Sequence, residues 1–191
     1  KDKELVELSS WLKNINYSFS LEVLSDILRK EPNRWQALED QVNALLYTKG
    51  ILRNSNFIGS TIYLEELIKL SIKNNLQKDK IVFILNEITE CYKEFNFRNE
   101  TLLNYLVYLL LENYWELSWP LLGKYLVETE HIPHGLSYLL SSFSFDNSEL
   151  LKWVKEEPET RAEVAMRFIP LINKGNIVKE KLEFQPEILE L

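Results

Sequence analysis

Helix-breaking residues are scarce in this chain, with five glycines and six prolines among 191 residues. An all-β fold built on tight turns needs more of both, so that class is set aside. Cysteine is scarcer still. Cys91 stands alone, which excludes an internal disulfide and points to a reducing, cytoplasmic setting. Histidine, the side chain best suited to move protons near neutrality, occurs only as His131 and His134. Long apolar runs are missing as well. The longest, Tyr105 to Leu111, covers seven residues, far short of the roughly 20 that a membrane-spanning helix needs. The chain opens on Lys1-Asp2-Lys3-Glu4, with no secretory pattern and no initiating methionine. It therefore reads as an excised part of a longer polypeptide.

Positive charge is also short. Lys and Arg number 22 against 29 Asp and Glu, a net of −7. The deficit lies in the second half, where 8 basic residues face 14 acidic ones, against 14 and 15 in residues 1–100. Such a half repels phosphate backbones and suits a solvated acidic surface or a basic partner.

Helix formers are what the chain has in plenty: Leu, Glu and Lys, with Ile and Asn beside them. They fall into amphipathic stretches whose apolar residues recur at helical spacing. A first helix is expected over residues 3–14, with Leu5, Leu8 and Leu12 on one face. The next carries Leu21, Leu24, Ile27 and Leu28 behind an N-cap at Ser20. Glu31-Pro32 ends it and opens a helix through Trp35, Leu38, Val42, Leu45 and Leu46, closed by Gly50. Residues 51–60 form a connector. A stripe of Ile62, Leu64, Leu67, Ile68 and Leu70 follows, then a turn at Asn74-Asn75, then Ile81, Ile84, Leu85, Ile88 and Tyr92. Leu102 to Leu111 is apolar nearly all round, as a helix covered on both sides must be. Tyr114-Trp115 marks the next turn, with Ser118 and Pro120 as cap and early position of another helix. Gly135 to Phe143 reads as a short helix. Asp146 and Glu149 have capping-box spacing before Leu150, Trp153 and Val154. Glu157-Pro158 leads into Val164, Met166, Phe168 and Ile169, with Pro170 bending the last turn. Lys174-Gly175 closes that helix, and Pro186 starts one more.

The turns fall near residues 32, 75, 115 and 158, at intervals of 43, 40 and 43. One stretch nearly repeats itself. Leu24 to Pro32 (LSDILRKEP) aligns with Leu150 to Pro158 (LKWVKEEP after the first Leu), an offset of 126, three times 42. Beyond the shared Glu-Pro, Leu38, Val42, Leu45 and Leu46 align with Val164, Phe168, Leu171 and Ile172. Two helices and a connector in about 42 residues resemble the HEAT/armadillo-like helical repeats, and are longer than the roughly 34 of tetratricopeptide repeats. The resemblance rests on this cadence and covers most of the chain. It implies an all-α fold of stacked antiparallel helix pairs, an α-solenoid of about 9–11 helices with no β-sheet. Residues 1–191 would then form a single helical-repeat domain. Each hairpin would bury its apolar face only against its neighbours.

Candidate chemistry is thin. Glu128-x-x-His131 has the spacing of di-iron helical bundles, but no second such motif exists. Glu130, His131 and His134 make a conceivable zinc set with no further support. They read as loop residues. Neither a nucleophile elbow nor a phosphate-cradling glycine loop is present. Cys91, inside an apolar helix pattern, reads as a buried inert thiol. Glu87, Glu90 and Glu94 share a helix face that reads as solvated. Trp11, Trp35, Trp115, Trp119 and Trp153 read as core rather than ligand platforms. The sequons at Asn16 and Asn99 fall at expected helix starts or turns. No catalytic, cofactor-binding or metal-binding residue is therefore assigned, and no cofactor. The expected function is non-enzymatic: a protein-interaction or scaffolding segment whose partner is another protein or another domain of the same chain. No membrane, nucleic-acid or small-molecule partner is indicated. A nucleic-acid-binding or processing repeat domain is the alternative.

Overall fold

The structure is a computed structural model describing residues 3–4, 6–7, 17–54, 60–94, 100–142 and 147–172. Every regular element among them is helical, and none is a strand. In chain order these are α1 (Tyr17–Lys30), a 3-10 turn (Pro32–Arg34), α2 (Trp35–Leu46), α3 (Ile51–Asn54), α4 (Ser60–Lys73), α5 (Lys78–Tyr92), α6 (Glu100–Glu128), α7 (His134–Ser142), α8 (Asn147–Glu156) and α9 (Pro158–Ile172). The all-helical class read from composition and periodicity is what forms. No helix among the described residues is long and apolar enough to cross a membrane. The chain gathers into two compact units, Lys1–Ser118 and Trp119–Leu191.

In the first unit, α1 packs on α2 across the Pro32–Arg34 turn and on α4, while α2 also meets α4 and α3 meets α5. Most of the expected stripe residues form the core: Leu21, Leu24 and Leu28 from α1, Leu38, Val42, Leu45 and Leu46 from α2, Leu64, Leu67 and Ile68 from α4, and Ile81, Ile84, Leu85 and Ile88 from α5, whereas Ile27, Leu70 and Tyr92 are only half-buried. Burial of such apolar area is the main stabilising term. Leu102, Leu103, Leu106, Val107, Leu110 and Leu111 are buried along the first half of α6.

Several local expectations are corrected. Ser20 does not cap a helix; α1 begins at Tyr17, and Ser20 is buried inside it. Residues 51–54 of the expected connector form the short helix α3. Gly50 does not close α2, which ends at Leu46. It takes a left-handed φ of 78° at the entry to α3. Ile62 is not part of the buried stripe and is 67% exposed. At 100° per residue it lies across the helix from Leu64 and Leu67, so that one face cannot hold all three. At Tyr114 the expected break does form: its φ of −143° and ψ of 48° are not helical, so α6 is two helical stretches that meet at a kink. Ser118 lies beyond the kink rather than at a helix start. Its buried hydroxyl donates to the Leu110 carbonyl at 3.1 Å, supplying a donor to the turn before the kink.

In the second unit, α9 packs on α7 and α8. Trp119, Leu122, Tyr125, Leu126, Trp153 and Val154 are buried. The rings of Trp119 and Trp153 meet edge to face, 5.4 Å between centroids and 73° between planes. α9 continues through Pro170 to Ile172. The expected helix over 3–14 (apart from four helical residues), Trp11, Asn16, Asn99, Asp146, Gly175 and the helix after Pro186 lie outside the described residues, as do the side chains of Glu149, Met166, Phe168 and Ile169.

Candidate interaction groove

Trp35, Glu39 and Asn43 recur every four residues and so share one face of α2. That face borders the turn from α4 to α5, and between them lies a shallow open groove whose enclosed space is about that of one water molecule. Trp35, Ser71 and Leu76 are its buried members. Glu39, Asn43, Asn74, Asn75, Gln77 and Lys80 complete the lining. The turn forms because Asn tolerates the left-handed region, and Asn75 has φ 61°. Asn74 then closes α4, its side-chain amide donating to the Leu70 carbonyl at 2.8 Å. Tyr114 fixes the same turn from α6. Its hydroxyl accepts the Leu76 N–H at 3.1 Å and donates to the Ile72 carbonyl at 3.2 Å.

The polar side chains divide into engaged and free. Ser71 donates to the Leu67 carbonyl at 2.9 Å. The amide groups of Asn43, Asn75 and Gln77 make no hydrogen bond among the described residues. Gln77 precedes α5 in an extended conformation, φ −69° and ψ 151°, without a side-chain capping bond. The positive end of the α5 dipole thus opens beside Lys80. The Lys80 ammonium sits 4.7 Å from the centre of the Tyr47 ring, which packs edge-on against Phe83 at 5.7 Å. The Tyr47 hydroxyl is buried without a hydrogen-bond partner among the described residues. Burial first, then the fields of Asp79, Glu39 and Tyr114, push its titration upward, so it stays a neutral phenol. Such a lining offers paired donors and acceptors over a tryptophan base; it contains neither thiol nor histidine.

The residues singled out in the sequence are placed elsewhere. His134, the first residue of α7, and His131, in the segment before it, are both exposed, and no group of three metal-ligating side chains occurs among the described residues. Cys91 is fully buried, its thiol pushed up to about 12 chiefly by burial. Trp35, Trp119 and Trp153 are core residues, and Trp115 is half-buried. The acidic face of α5 needs correction. Glu90 is exposed and pairs with Lys93 at 2.6 Å, and Glu94 pairs with Arg53 of α3. Glu87, however, is only 9% exposed and accepts the Gly50 N–H at 2.7 Å. Sequence reasoning missed the groove because Asn74-Asn75 carried only a turn signal, and nothing in the pattern tied it to Asn43.

Comparison with family models, with curated proteins and with solved structures finds no match to this chain.

Proposed function

We propose that this chain is a non-enzymatic helical-repeat segment of the HEAT/armadillo-like kind, which docks an extended segment of a partner protein in the groove between α2 and the α4–α5 turn. One observation carries the repeat part of this reading. Polar contacts distant in sequence recur near the repeat interval: Gly50 with Glu87, Leu76 and Ile72 with Tyr114, and Arg53 with Glu94. Their separations of 37, 38 and 42 residues for the hydrogen bonds are those expected when each hairpin rests on the next. The docking part rests on the free amides of Asn43, Asn75 and Gln77. A side-chain amide presents one donor edge and one acceptor, the complement of a peptide group.

The test is fluorescence anisotropy of the purified chain against a library of labelled extended peptides, with labelled single-stranded RNA and DNA in parallel at two salt concentrations. Saturable peptide binding, weakened at least tenfold by Asn43→Leu combined with Gln77→Leu, is the expected result. Circular dichroism of that variant should match the parent, since neither amide bonds within the fold. Oligonucleotide binding that falls steeply with salt would replace this reading with the nucleic-acid one. Peptide binding indifferent to the double substitution would remove the groove from it.

A further inference from the structure

We draw no further inference here: the strongest candidate, the surface apolar pair of Ile62 on α4 and Phe19 on α1, carries nothing because nothing in the structure shows what covers either side chain.

Discussion

The backbone amide of Gly50 donates to the carboxylate of Glu87 at 2.7 Å, joining the entry of α3 to the middle of α5. Gly50 has a left-handed φ of 78°, and Glu87 is nearly buried where it meets it. A carboxylate held there satisfies a backbone donor that no helix covers. Removing the acceptor should cost about 1.5–3 kcal/mol, the range for hydrogen bonds to charged groups. Glu87→Ala is therefore expected to lower the urea midpoint clearly. Glu87→Gln, which keeps an acceptor oxygen, should lower it less. The exposed pair of Arg53 and Glu94 ties α3 to the residues just beyond α5, and its removal should cost under about 1 kcal/mol. Equal effects of Glu87→Ala and Glu94→Ala would show that Glu87 does not hold the α3 entry.

The Tyr114 hydroxyl both accepts from Leu76 and donates to Ile72. Tyr114→Phe keeps the ring and deletes both bonds. About 1–2 kcal/mol should be lost, since the Leu76 N–H is left without its acceptor. Hydrogen exchange reads the site directly. The Leu76 amide should exchange faster in the variant while amides in the middle of α2 stay protected. Unchanged exchange at Leu76 would mean that the turn stands without Tyr114.

Cys91 gives a pH dependence with a definite sign. Burial raises its thiol from the ordinary value of 9.0 to about 12 in the folded chain. Below 9 both states keep the proton, so stability does not change through this group. Between 9 and 12 the unfolded chain ionises while the folded one does not, and unfolding becomes easier as pH rises. A disulfide-exchange reagent at pH 8 should therefore leave the native thiol unmodified over hours and label it at once in urea. In a Cys91→Ala variant, the loss of stability between pH 9 and 11 should be shallower than in the parent. Rapid labelling under native conditions would contradict the burial.

How far the sequence spoke for these features depends on where each partner lies. Leu21, Leu24 and Leu28, or Leu38, Val42, Leu45 and Leu46, announce themselves because a helix repeats every 3.6 residues, so one face can be read locally. The Asn74-Asn75 turn is legible for a similar reason, since Asn carries the left-handed conformation in its own chemistry. Ile62 misled because an apolar residue near the start of a stripe looks like a member until the 100° increments are counted. Glu87 was hidden more deeply. A carboxylate among charged neighbours reads as solvated, and its partner is a backbone amide 37 residues away, which no side-chain pattern records. The kink at Tyr114 stood where the cadence put a turn. The cadence did not say that the break would be confined to one non-helical residue, with Ser118 bonded back across it to Leu110. The groove belongs to the same class, assembled from a helix face and a turn that are adjacent only after folding.

Gly123 lies close beneath the indole of Trp153. A Cβ built on it would stand 2.9 Å from the indole nitrogen and 3.1 Å from two ring carbons. Two opposing effects meet at this position. Alanine is the better helix former, by about 1 kcal/mol in a helix interior. Against that, an added methyl in a packed core costs about 1–3 kcal/mol when its neighbours cannot move. Here the neighbour is held on several sides. Trp119 packs edge-on against the indole, and Arg161 lies 5.1 Å over its ring. Arg161 is itself fixed by a 2.9 Å bond to the Trp153 carbonyl and a 2.8 Å bond to Glu156. The steric effect should therefore win, and Gly123→Ala is expected to destabilise. In a Trp153→Leu background the ring is gone, and the same alanine should stabilise by up to about 1 kcal/mol through helix propensity alone. Urea denaturation of the four proteins measures both changes and their coupling. Alanine stabilising in both backgrounds would mean that α6 does not approach Trp153 this closely.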